Sequence, residues 1–193
     1  MPARVWTYPN QLTILRILFV PLFVLLATHG HPRSATAVFV LAGITDGLDG
    51  LLARKLHQKT PLGSFLDPVA DKLLVTAAFV TLTVPSVPFA AHIPWWLTAT
   101  SILRDLLIAV AVLAIWVGIG HRSFPPSLLG KWTTAAQLVT VSAVLLANFV
   151  AMPHGVLQPV VLVTWLLVVS SGLHYLFRAL DLVRSQRNVG EAR

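Results

Sequence analysis

The chain has 193 residues, 56% hydrophobic and 11% charged, with no cysteine and a formal charge of +7. A mean hydropathy of +0.79 over this length excludes an ordinary water-soluble domain and indicates an integral membrane protein, while the missing cysteines exclude disulfides, thiol catalysis and cysteine-bound zinc. The positive charge would suggest nucleic acid in a soluble protein, but basic cytoplasmic loops facing anionic lipid account for it, so no nucleic-acid partner is expected.

Six apolar stretches of about 20 residues, the length that crosses a bilayer, predict helices near 11–29, 34–54, 63–84, 93–118, 128–151 and 157–180. They are continuous rather than alternating, which argues against barrel strands. In the first, Arg4 and the run Ile17–Ala27 imitate a signal peptide, but His29 stands where a cleavable leader needs a small residue, so this helix is expected to be retained. Proline, glycine and histidine punctuate the chain between stretches, as in "HGHPR" and "GHRSFPPS". With the N-terminus inside, Arg4, Arg54, Lys55, Lys59, Arg122, Lys131, Arg178, Arg184, Arg187 and Arg193 fall on the cytoplasmic side and only Arg33 outside. That asymmetry predicts an all-α protein of six transmembrane helices, N-in and C-in. Trp95 and Trp96, beside Pro94, are then interfacial anchors.

The second and third stretches hold Asp46, Asp49, Asp67 and Asp71, four of the chain's seven acidic residues. The first pair is three residues apart and the second four, so each pair shares a helical face. An aspartate at mid-membrane costs about 2.5–3.5 kcal/mol on insertion scales, and four neighbouring carboxylates repel one another. Hard divalent cations such as Mg²⁺ or Mn²⁺ relieve both penalties. Gly50 and Ala53 beside Asp49, and Gly63 before Asp67, leave bare backbone near the acids, while Arg54 and Lys55 add cations. Carboxylates for metal beside cations suit a phosphate-bearing substrate. An ion-coupled transporter, which also uses intramembrane carboxylates, is the non-enzymatic alternative. It predicts an inverted repeat that the chain lacks. The seven histidines fall mostly in turns, without the spacing of zinc ligands.

The run Asp46-x-x-Asp49-Gly50-x-x-Ala53-Arg54, eight residues, Gly63-x-x-x-Asp67-x-x-x-Asp71 resembles, position for position, the signature of the CDP-alcohol phosphotransferase family. The flanking "PNQLTILRILFVP", "RDLLI", "GKWTTAAQ" and "SSGLHYL" are most similar to its bacterial phosphatidylglycerophosphate synthase and cardiolipin synthase branch. The resemblance covers essentially the whole chain and implies one membrane domain, 1–193, and a homodimer in the cytoplasmic membrane with its active site facing the cytoplasm. It implies that the alcohol hydroxyl attacks the β-phosphorus of CDP-diacylglycerol and releases CMP. Asp46, Asp49 and Asp67 would be metal ligands, Asp71 a further ligand and the general base, and Gly50, Ala53, Arg54 and Gly63 the frame of the cytidine diphosphate, with two ions, Mg²⁺ or Mn²⁺.

The acceptor is less sharply marked. Glycerol-3-phosphate needs cations beyond Arg54, and Arg104, Lys131 and Arg178 are the candidates, with Arg16 behind them. Arg104 could equally form an internal pair with Asp105, and Arg178 or Lys131 could reach lipid headgroups. Arg104-Asp105 replaces the Arg-Glu usual in phosphatidylglycerophosphate synthases and resembles the cardiolipin synthases, whose acceptor is phosphatidylglycerol. Glycerol-3-phosphate is the favoured acceptor on the first-stretch and "GKWTTAAQ" similarity.

Overall fold

A computed structural model describes residues 8–55, 61–119, 127–150 and 154–191; within these, the side chains of 8–10, 48–55, 61–65, 115–119, 154, 180 and 182–191 lie outside the description. All regular structure among the described residues is helical: α1 (Tyr8–Thr28), α2 (Pro32–Lys55), α3 (Pro61–Thr83), α4 (Trp95–Ile119), α5 (Leu128–Ala147), a short 3₁₀ turn (His154–Val156) and α6 (Leu157–Glu191). The six α-helices stand at the six predicted stretches. Two ends differ: α5 stops before 151, and α6 runs well past 180. The added part of α6 contains no proline and includes leucine, arginine and glutamine, which favour helix. Loss of hydropathy there marks a limit of membrane burial, not of helix.

Among the described residues, four segments are long and apolar enough to cross a bilayer, Gln11–Thr28, Trp95–Ala114, Leu128–Ala147 and Leu157–Ala179. This is a membrane protein. The 24 residues of α2 and 23 of α3 correspond to about 36 and 34 Å of helix, also of spanning length.

The chain forms two compact units, Met1–Ile93 with Val141–Pro153, and Pro94–Thr140 with His154–Arg193. In the first, α1 packs against both α2 and α3. The turn from α1 to α2 is a Schellman ending: the His31 amide donates to the Leu26 carbonyl and the Gly30 amide to that of Ala27. Gly30 adopts φ of 79°, which a glycine tolerates without strain. The His31 carbonyl then accepts from Ala35, and Pro32, with no amide hydrogen to leave unsatisfied, opens α2. Ala27, Ala35, Ala42, Ala70 and Ala78 are fully buried, letting the helices approach closely. Phe23 and Phe39 meet with ring centroids 5.9 Å apart.

A single amide closes this unit. Asn148, just beyond α5, accepts from the Ala90 and Ala91 amides at 2.6 and 3.0 Å. Its Nδ2 donates to the carbonyls of Ala91 at 3.1 Å and Val144 at 2.7 Å. It thereby ends α5 and ties down the segment after α3.

In the second unit α4 packs against α6, and Trp96 meets Trp165 edge-on at 5.8 Å. Exposed Trp95 beside it suits the expected interfacial role. Thr98, Ser101 and Arg104 of α4, Thr133, Gln137 and Thr140 of α5, and Thr164 and Ser171 of α6 are all buried. Thr140 and Thr164 share a hydrogen bond of 2.8 Å, and Thr133 donates to the Leu167 carbonyl at 3.1 Å. Interhelical hydrogen bonds and close packing hold helices together where lipid removes the hydrophobic drive.

Asn148→Ala strips partners from four backbone groups. Its expected effect is a loss of about 1–3 kcal/mol of stability, read as a lower thermal unfolding midpoint in detergent micelles.

Candidate active site

The acidic cluster is assembled by α1. Thr13 and Arg16 lie three residues apart, so they share one helix face, and both side chains are fully buried. The Thr13 hydroxyl donates to Oδ1 of Asp67 at 2.6 Å. Arg16 reaches two helices at once: Nη2 lies 2.8 Å from Oδ1 of Asp46 on α2, and Nη1 donates to Oδ1 of Asp71 on α3 at 2.7 Å. The forked guanidinium suits such charge-assisted bonds. Arg16, grouped in sequence with the acceptor-phosphate candidates, is therefore engaged with the carboxylates.

Asp46, Asp67 and Asp71 thus converge on one short stretch of α1. The Asp46 and Asp71 side chains remain 45% and 44% exposed, so they are tethered without being sealed. Asp67 and Asp71 stand one turn apart, and α3 continues through Pro68 between them, a tolerated break in helix hydrogen bonding. Beside Asp46, Gly43 and Gly47 are exposed, and among the described residues a Cβ at either would meet nothing within 4 Å. That helix face is open.

Asp49, Gly50, Ala53 and Arg54 lie on α2 and Gly63 on α3, but their side-chain placement is outside the described residues. Among the described residues no three acidic or histidine side chains are gathered closely enough to hold a metal ion. The donor set nevertheless fits hard divalent cations. It offers carboxylate oxygens from two helices, accessible and already partly neutralised by one guanidinium.

The second unit holds the other candidates. Arg104 is buried, and its Nε and Nη2 donate to the Ser171 hydroxyl at 3.2 and 2.7 Å. Its Nη1 donates to Asp105 at 3.0 Å, so the internal pair foreseen in the sequence is present. The guanidinium also lies 5.8 Å from the Tyr175 ring centroid, within cation–π range. The Tyr175 hydroxyl accepts from the Ser127 amide at 3.0 Å, and the Ser127 hydroxyl caps α5 by accepting from Gly130. A Cβ on Gly130 would lie 3.2 Å from the Tyr175 hydroxyl and 3.3 Å from Nη2 of Arg104. Glycine is what allows α5 to start this close. Lys131 follows it, exposed, and Arg178 is half-buried one turn beyond Tyr175.

Sequence reasoning missed Thr13, Ser171 and Tyr175 as individual residues. They lie in "PNQLTILRILFVP" and "SSGLHYL", stretches read only for their family resemblance. A polar residue three positions before a buried arginine was the available sign for Thr13.

Comparison with known proteins agrees with this layout. The CDP-alcohol phosphatidyltransferase family model matches residues 6–172. The chain is 41% identical over 147 residues to a Pseudomonas fluorescens protein named CDP-diacylglycerol–glycerol-3-phosphate 3-phosphatidyltransferase, covering 72% of each. An Escherichia coli protein of the same name is 39% identical over 142 residues, 69% of this chain and 74% of its own. A Mycobacterium tuberculosis protein named "Probable phosphatidylglycerophosphate synthase" is 36% identical over 185 residues, 92% of this chain and 84% of its own. With the aspartate signature, the helical layout and the match over residues 6–172 in agreement, the chain belongs to the CDP-alcohol phosphatidyltransferase family.

Proposed function

We propose that this enzyme transfers the phosphatidyl group of CDP-diacylglycerol to glycerol-3-phosphate, releasing CMP and forming phosphatidylglycerophosphate. The observation that carries this reading is the convergence of Asp46, Asp67 and Asp71 on Arg16 and Thr13, in a chain whose relatives bear that transferase name. Those names favour glycerol-3-phosphate over phosphatidylglycerol as acceptor. Family membership and the transferase names displace the transporter alternative.

The reaction needs an ionised base and an aligned acceptor. The acceptor hydroxyl oxygen forms a bond to the β-phosphorus as the bond from that phosphorus to the CMP oxygen breaks. Asp71 takes the hydroxyl proton. Its hydrogen bond from Arg16 holds the carboxylate in place for that transfer. Gly50, Ala53, Arg54 and Gly63 frame the cytidine diphosphate, and the open face at Gly43 and Gly47 leaves room for its approach. Arg104, Lys131 and Arg178 bind and orient the acceptor phosphate; Ser171 and Tyr175 hold the Arg104 side chain in place.

Divalent metal ions are general to the family. We assign two, Mg²⁺ or Mn²⁺, to Asp46, Asp49, Asp67 and Asp71, where they would neutralise the diphosphate and stabilise entering and leaving oxygens. The same reading includes six membrane crossings with both termini inside, a cytoplasm-facing site in the cytoplasmic membrane, and a homodimer among membrane lipids. Basic-residue asymmetry supports the orientation.

Asp71→Asn is expected to abolish CMP release even at Mn²⁺ concentrations high enough to fill the site, while CDP-diacylglycerol binding largely survives; near-normal turnover would remove Asp71 as the base. Purified protein given CDP-diacylglycerol with labelled acceptors should transfer to glycerol-3-phosphate, and transfer to phosphatidylglycerol alone would reverse the assignment. Arg104→Gln should raise KM for glycerol-3-phosphate by about tenfold or more, the scale of a lost charge-assisted hydrogen bond. KM for CDP-diacylglycerol should stay within about twofold in the same steady-state assay.

A further inference from the structure

We infer that Arg16, supported by Thr13, is a positioning residue that sets the affinity of the acidic cluster for divalent cations by holding its carboxylates in register. The inference rests on the assignment of metal ions to these aspartates. It concerns residues of α1, which lie outside the aspartate signature.

Two opposing effects make the outcome informative. A fixed positive charge close to a cation site repels the incoming ion, so on charge alone Arg16 would weaken metal binding. Against this, like-charged carboxylates on separate helices repel and turn apart unless something holds them. Arg16 holds Asp46 and Asp71 through two different guanidinium nitrogens at 2.8 and 2.7 Å. Thr13 holds Asp67 at 2.6 Å. Each contact constrains where one carboxylate oxygen sits, on three aspartates of two helices. Groups that orient metal ligands in this way change metal affinity by about 10- to 100-fold when removed.

Burial strengthens the case for orientation over simple neutralisation. Arg16 and Thr13 are fully buried, while Asp46 and Asp71 are nearly half exposed. The anchoring atoms are thus on the protein side and the carboxylates face outward. A lysine at 16 would keep the charge but has a single ammonium in place of the planar fork. Charge and geometry can therefore be separated by substitution.

The experiment is Mn²⁺ binding to the detergent-solubilised full chain, followed by electron paramagnetic resonance without lipid substrate, for wild type, Arg16→Gln, Arg16→Lys and Thr13→Val. Thermal unfolding midpoints are measured on the same samples. Positioning predicts Mn²⁺ affinity about tenfold or more weaker in both Arg16 variants, with the lysine giving no rescue, and a loss of the same sign in Thr13→Val. It also predicts that excess Mn²⁺ recovers part of the lost CMP release in variants whose metal-free unfolding midpoint matches wild type, which separates positioning from a folding defect rescued by ligand binding. Unchanged or tighter Mn²⁺ binding in Arg16→Gln, or full rescue by lysine, overturns the inference. If the Arg16 variants do not fold, Thr13→Val decides it, and wild-type affinity there overturns it. Failure of wild type to bind Mn²⁺ would defeat the metal assignment as well, whereas normal wild-type binding with unaffected variants defeats this inference alone.

Discussion

The guanidinium of Arg16 is the contact on which the first helical unit depends. Neither it nor the aspartates it meets is favourable alone in an apolar setting: an unpaired guanidinium is expensive inside a helix bundle, and so are clustered carboxylates. Brought together they satisfy each other, because Asp46 and Asp71 approach opposite arms of one fork. The partners lie on α2 and α3 while the arginine is on α1, so this solution requires α1 to pack against both, as it does. Packing of this unit and assembly of its acidic site are one problem with one solution. The buried alanines on α1, α2 and α3 let the backbones come close enough for the bonds to form.

Arg104 offers a contrast that clarifies both residues. It too is buried, but its acidic partner is its immediate neighbour Asp105, and its contacts across helices are the neutral Ser171 hydroxyl and the face of Tyr175. Arg16 therefore links helices through opposite charges, whereas Arg104 is held across helices by neutral groups.

The sequence made the helices and the acidic faces legible for physical reasons. Apolar length reports on membrane burial directly, and spacings of three and four place Asp46 with Asp49 and Asp67 with Asp71 whatever the tertiary structure. Long-range pairing has no such local sign. Thr13 and Asp67 are 54 positions apart, Arg104 and Ser171 67, and Asn148 and Ala90 58. Nothing in an apolar run tells which polar residue will meet which. The one pair that the sequence offered as an alternative, Arg104 with Asp105, joins adjacent residues of one helix. The misplaced end of α6 has the same origin, since hydropathy falls where a helix leaves lipid while backbone hydrogen bonding continues.

The aspartate signature is carried by α2 and α3, helices of spanning length that are otherwise largely apolar. A site for a charged diphosphate and hard cations needs oxygen donors, and each donor makes its helix harder to place in lipid. Four aspartates and Arg16 leave a formal charge of −3 before Arg54 and Lys55 are counted. Arg16 reduces the repulsion but does not remove it, so the cluster retains a demand for further positive charge. A fully neutralised cluster would fold more easily and attract cations less. The residual negative charge of the signature is thus what the proposed divalent ions would offset.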